Sequence, residues 1–206
     1  MEEFKKWQAK CGSNSSERIL AAMDNDFVLK TSIDGLLILK RPINKDERGF
    51  FREIFHLDEI EKILGTQFVG VQMNHAFSKP NVLRGIHAEN WNKIICPING
   101  EVFVAIVDIR PDSPTFKKVE TFEINDQNKI ALFVSEGLAN SYCVIGNKGV
   151  DYIYLVDAYY DGSDTRAVAW DDPDLAIDWP IKDPIISERD KNNPRLRDLF
   201  PKLFKQ

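Results

Sequence analysis

The run KIICPINGEVFVAIVDI, Lys93 to Ile109, decides the fold. Two segments rich in Val and Ile, KIICPI and EVFVAIVDI, flank the turn signal PING, and each is apolar at consecutive rather than alternate positions. Short apolar runs bounded by turn residues read as strands with both faces partly covered. The same texture extends outward in both directions. Upstream lie LLILK, FVGVQM and VLRGIH; downstream lie KIALFV, SYCVI, DYIYLV and AVAW, separated by RPDSP, NDQN and GNKG. Strands at this spacing predict an all-β chain, a sandwich or barrel with packed sheets. One helix is predicted over HLDEIEKIL, where Leu57, Ile60, Ile63 and Leu64 share a face, and PRLRDLFPKLF is a candidate for another. Residues 1–35 differ in texture. EEFKKWQAK and SSERILAAM read as two short helices, so 1–35 is expected to be a helical extension and 36–206 the domain.

The 206 residues suffice for one sizeable core. A formal charge of -5 and the lack of a Lys/Arg run argue against a nucleic-acid partner, and an anionic small molecule would need local positive charge. Cys11, Cys96 and Cys143 are odd in number and far apart, which indicates neither a disulfide framework nor a zinc knuckle. No run reaches the roughly 18 apolar residues of a membrane span, and the N-terminus lacks the pattern of a secretory signal. The expectation is a cytoplasmic protein.

Only His56, His75 and His87 are available for histidine chemistry. His56 opens the helical segment and His75 follows a strand; both read as surface residues. His87 ends VLRGIH, where an ionisable group in a sheet must be paired or functional, although taken alone a satisfied core histidine is the better reading. Lys93 opens the next strand, either aimed at the same cavity or snorkelling at an edge. Gln72 and Asn74 share one face of GVQMN, and Tyr154 and Tyr160 share one if YLVDAYY stays regular. With GIHAEN after the strand and no histidine beyond residue 87, a metal site is not expected.

DERGFFRE, VQMN, VLRGIH, the lysine of NKII, VDIRPDSPTF, VSEGLA, the YLVDAYY tyrosines, WDDPDLAIDWP and SERD occur in this order between Leu36 and Asp190. In that order and spacing the chain resembles the dTDP-4-dehydrorhamnose 3,5-epimerase family. Those enzymes have a cupin-type β-sandwich and act on nucleotide-linked 4-keto-6-deoxy sugars without cofactor or metal, in activated-sugar biosynthesis for surface polysaccharide. The resemblance implies His87 as the base, Asp190 as the carboxylate that orients it, Tyr154 as the acid on the opposite face, and Lys93 near the enolate oxygen. It implies that Arg48, Phe51, Glu53, Gln72, Asn74, Arg84, Tyr160 and Arg189 line the sugar and nucleotide-diphosphate site. Homodimers with an exchanged N-terminal strand are implied as well.

Arg84 and His87 would face opposite sides of a regular strand, and a bulge at Gly85 would reconcile them. The chain also departs from the family. Ala139-Asn140-Ser141-Tyr142 stands where AHGF is common, so Asn140 replaces a second active-site histidine at the substrate. The His87 to Lys93 interval is short, and Thr165 stands where glutamate is usual. These departures point to a specialised member that acts on a different nucleotide sugar and inverts C3 and/or C5, with inversion of one centre alone as the sharper expectation. The competing readings are a nucleotide-sugar ketoisomerase and a catalytically silent cupin sugar-binding protein. Retention of Tyr154 opposite His87 speaks against the first, and survival of His87, Asp190, Lys93 and Tyr154 against the second.

Overall fold

A computed structural model describes residues 27–161 and 166–204. The two helices expected within residues 1–26, and Thr165, lie outside the described residues. The strands are β1 (Val28–Lys30), β2 (Leu36–Leu39), β3 (Asn44–Asp46), β4 (Gly49–Phe51), β5 (Gln72–Ser78), β6 (Leu83–Ala88), β7 (Lys93–Pro97), β8 (Val102–Asp108), β9 (Val119–Ile124), β10 (Ala131–Val134), β11 (Leu138–Val144), β12 (Val150–Val156) and β13 (Arg166–Val168). They form a six-stranded sheet ordered β1-β2-β10-β7-β12-β5, a five-stranded sheet ordered β13-β6-β11-β8-β9, and a separate β3–β4 hairpin. The all-β expectation holds. The sheet begins earlier than expected, because Val28–Lys30, placed in the extension by its sequence, pairs antiparallel with Leu37–Leu39.

Three apolar layers explain why the strands are apolar on consecutive residues. Between the sheets lie Leu36, Ile38, Ile95, Val104, Ile106, Leu132 and Tyr152. The alternate residues Leu37, Leu39, Ile94, Cys96 and Phe133 point outward from the six-stranded sheet and are covered by α1 (Leu57–Leu64), whose Ile60 is buried and whose Leu57, Ile63 and Leu64 pack beside it. Ile86, Ala88, Val107 and Ala139 point outward from the five-stranded sheet. The C-terminal segment covers them with Leu175, Trp179 and Leu196. A strand whose two faces both pack against something cannot alternate apolar with polar. Each fully buried aliphatic side chain contributes roughly 1.5–3 kcal/mol.

The segment that covers the five-stranded sheet contains α2 (Glu188–Lys191) and α3 (Leu196–Leu199), followed by a 3₁₀ turn at Pro201–Leu203. Cys96 and Cys143 are free and buried. No helix among the described residues is long and apolar enough to cross a membrane.

Candidate active site

β6 carries the first wall. Its register against β11 pairs Ala88 with Ala139 and His87 with Asn140, then slips so that Arg84 pairs with Tyr142. Gly85 and Ile86 thus oppose the single Ser141, and the extra residue is a bulge on β6. It turns Arg84 and His87 to the same cavity, which a regular strand could not do. Glycine is required at the bulge for a further reason: a Cβ there would lie 2.6 Å from Cγ of Asp190.

Asp190 uses that space. Ser187 caps α2 by accepting the Asp190 backbone N–H at 3.1 Å, and the helix presents the carboxylate to β6. Oδ2 accepts the Gly85 N–H at 3.0 Å, and Oδ1 lies 2.8 Å from His87 Nε2. Burial alone would raise this carboxyl, but the hydrogen bonds from His87 and the Gly85 N–H outweigh it and hold the group at about 2. An anion at Nε2 favours the tautomer with the proton on that nitrogen, which leaves the Nδ1 lone pair as the basic position.

The second wall comes from the opposite sheet. Tyr154 of β12 pairs with Asn74 of β5, and Val156 with Gln72, so the tyrosine and both amides share the inward face. Gln72 Nε2 donates to Asn74 Oδ1 at 2.8 Å, and Gln72 Oε1 accepts the Tyr160 N–H at 3.2 Å. β12 ends at Val156, so Tyr160 reaches the site from the following loop rather than along a regular strand. There it meets Trp91 edge-on, with centroids 6.4 Å apart. Burial first, and then the negative charge of Glu89, push the Tyr154 hydroxyl above its ordinary range, so it stays protonated at neutral pH.

Between these walls lies a cavity of about 530 Å³, within the usual range for small-molecule sites. Arg84, His87, Tyr154, Tyr160, Arg189 and Asp190 all line it. Arg84 is braced by its Nε donating to Ser78 Oγ at 2.9 Å and its Nη2 to Phe77 O at 3.2 Å. The remaining sequence-predicted residues stand apart from this lining. Gln72 and Asn74 flank Tyr154 without bordering the cavity. Asn140 sits across from His87 with its Oδ1 buried and without a hydrogen-bond partner among the described residues.

Lys93 is 4% exposed and its Nζ donates to Glu89 Oε2 at 2.5 Å, so the cavity is bordered by Glu89 rather than by the lysine. Arg48 pairs with Asp46 on the β3–β4 hairpin, Phe51 is 67% exposed, and Glu53 pairs with Arg41 and His56. None of these three lines the cavity. Sequence reasoning passed over Glu89, Trp91 and Ser187, which do line it. A carboxylate two residues beyond His87 was the available signal for the first of them. His75, read as a surface residue, is exposed and bonded to Asp151 at 2.8 Å.

Comparison with known proteins turns this arrangement into a family assignment. The family model described as dTDP-4-dehydrorhamnose 3,5-epimerase matches residues 30–198. The chain belongs to the dTDP-4-dehydrorhamnose 3,5-epimerase family. A relative of that name from Shigella flexneri is 35% identical over 175 residues, covering 83% of this chain and 96% of that protein. The structure of dTDP-6-deoxy-D-glucose-3,5-epimerase RmlC from Legionella pneumophila in complex with dTDP-4-keto-L-rhamnose superposes with a TM-score of 0.78 at 33% identity, covering 85% and 95% of the two chains. ChmJ, a 3'-monoepimerase from Streptomyces bikiniensis solved with dTDP-quinovose, gives 0.77 at 29% identity over 83% and 89%. As a family member the protein is a carbohydrate epimerase, an isomerase. The family contains enzymes named for two centres and for one, so membership alone does not fix the number inverted.

Proposed function

We propose that this epimerase inverts a single carbon, C3 or C5, of a nucleotide-diphosphate 4-keto-6-deoxy sugar, with His87 as base and Tyr154 as acid. The observation that carries the reading is that these two side chains enter one cavity from opposed sheets. His87 removes the proton from the carbon beside the ketone, and the electron pair moves onto the C4 oxygen to give an enolate. The Tyr154 hydroxyl then delivers a proton to the other face of the same carbon, and solvent exchange resets both groups. Asp190 stabilises the imidazolium formed in the first step. Positioned proton transfer of this kind contributes about 10²–10⁴-fold, and enolate stabilisation by a nearby cation or donor adds to it. Arg84 and Arg189 supply the local positive charge that a diphosphate needs, through forks suited to phosphate oxygens.

The restriction to one carbon rests on Asn140. It stands across from His87, and an amide cannot act as a base near neutral pH. Incubation with dTDP-4-keto-6-deoxyglucose in heavy water tests both parts. Deuterium and inversion at one of the two carbons are expected. Inversion at both would overturn the single-centre reading, and exchange that survives His87→Ala would overturn the catalytic one.

The same reading makes the protein a homodimer in which the β3–β4 hairpin reaches the partner's cavity with Arg48, Phe51 and Glu53. What supports it is that these three do not line the cavity of their own protomer, while Phe50 and Phe51 on the hairpin and Met73 and Phe77 on edge strand β5 are exposed. Sedimentation at micromolar concentration should give twice the monomer mass. The biosynthetic setting the family suggests is activated-sugar supply for surface polysaccharide.

A further inference from the structure

Glu89 is the one carboxylate bordering the cavity that His87 does not already engage. It follows β6 directly, in a short loop fixed at several points. The Glu89 carbonyl accepts the Gly137 N–H at 3.1 Å. Asn92 donates its N–H and its side-chain amide to Asp157 at 2.9 and 2.7 Å, and its Oδ1 accepts the Glu136 N–H at 3.0 Å. Lys93 then holds one carboxylate oxygen, Oε2. The other, Oε1, has no protein partner among the described residues, and the side chain keeps 18% exposure on the cavity side. A carboxylate that borders the cavity with one oxygen committed to a buried ammonium and the other without a protein donor is an acceptor waiting for one. Phosphate brings no donor, whereas a sugar hydroxyl does.

We propose that Glu89 is a specificity-determining residue: its Oε1 accepts a hydrogen bond from a ring hydroxyl of the sugar beside the reacting carbons, and Lys93 is the group that fixes it there. The inference rests on the epimerase reading of the cavity. It assigns the Lys93–Glu89 pair a role in choosing the sugar and selects against sugars deoxygenated at the recognised position.

Calorimetry with unreactive ligands tests it without turnover: dTDP, dTDP-6-deoxyglucose and its 2-deoxy and 3-deoxy analogues, on the wild-type protein and on Glu89→Gln. Losing a hydrogen bond to a charged acceptor costs enough for about a tenfold change in affinity or more. Glu89→Gln is expected to weaken dTDP-6-deoxyglucose by about that factor while binding dTDP unchanged. One deoxy analogue should already be weak on the wild type, and the variant should weaken it no further. Equal affinity of both proteins for every ligand, or an equal loss on all of them including dTDP, would overturn the proposal. Should the variant fail to fold, the wild type alone decides, since undiminished affinity for both deoxy analogues is equally fatal. A wild-type protein that binds neither dTDP nor its sugars sinks the reading of this cavity as a dTDP-sugar site, a distinct result.

Discussion

The bulged strand β6 and the β3–β4 hairpin were both expected to carry site residues, and they meet that expectation in opposite ways. On β6 every functional atom has its support within the chain: the bulge turns His87, Asp190 backs it, and Ser78 braces Arg84. On the hairpin all six strand residues are exposed, Arg48 pairs with Asp46 two positions away, and two phenylalanines are exposed, one of them beneath the Lys129 ammonium. His87 and Asp190 meet within one chain, whereas the hairpin has the composition of a binding element without anything to bind. A proton-transfer pair must be held in fixed geometry before substrate arrives, and a contact to the outer part of a ligand can be supplied by another molecule.

This contrast can be broken most severely at His87. His87→Ala should reduce deuterium exchange into substrate by about 10²–10⁴-fold with the thermal transition little changed, as followed by NMR and calorimetry. Gly85→Ala comes next. Its methyl meets the Asp190 carboxylate, and the overpacking should cost about 1–3 kcal/mol and at least about tenfold in kcat. A fully active Gly85→Ala enzyme would mean that Asp190 need not sit against the strand.

The hairpin should respond in the other register. Phe51→Asp is expected to weaken self-association by about tenfold or more in sedimentation and to raise KM, while the His87–Asp190 pair in each protomer is untouched. Acid titration of the pair comes next. Asp190 is depressed from 3.8 to about 2, so its contribution to stability is full above pH 4 and is lost as the pH falls toward 2. Asp190→Asn should flatten that part of the stability profile. At the hairpin, Arg48→Ala should leave the melting temperature unchanged, because its ion pair is fully exposed.

Much of this was legible in the sequence for physical reasons that differ by element. The two sheets showed because both of their faces are covered, which removes polar residues from consecutive strand positions. α1 showed because its apolar stripe keeps helical spacing. The strand Val28–Lys30 did not, since three residues are too few to carry a period. The bulge was legible as a conflict, because Arg84 and His87 could not otherwise share a face. Glu89 was not, because its meaning depends on Lys93 turning toward it and away from the cavity. The partnership of His87 with Asp190 spans 103 positions, and spacing alone gave no sign of it.

That separation has a consequence for how the molecule is made. Both sheets are drawn from residues before 169, yet the carboxylate that pairs with His87 arrives with α2, in the segment that also seals the outside of the five-stranded sheet. During synthesis the β-sandwich can assemble while its histidine is still unpartnered. The pairing of His87 then waits on a segment made after both sheets, and a chain ending before Ser187 would carry the strands of both sheets with His87 lacking its carboxylate partner.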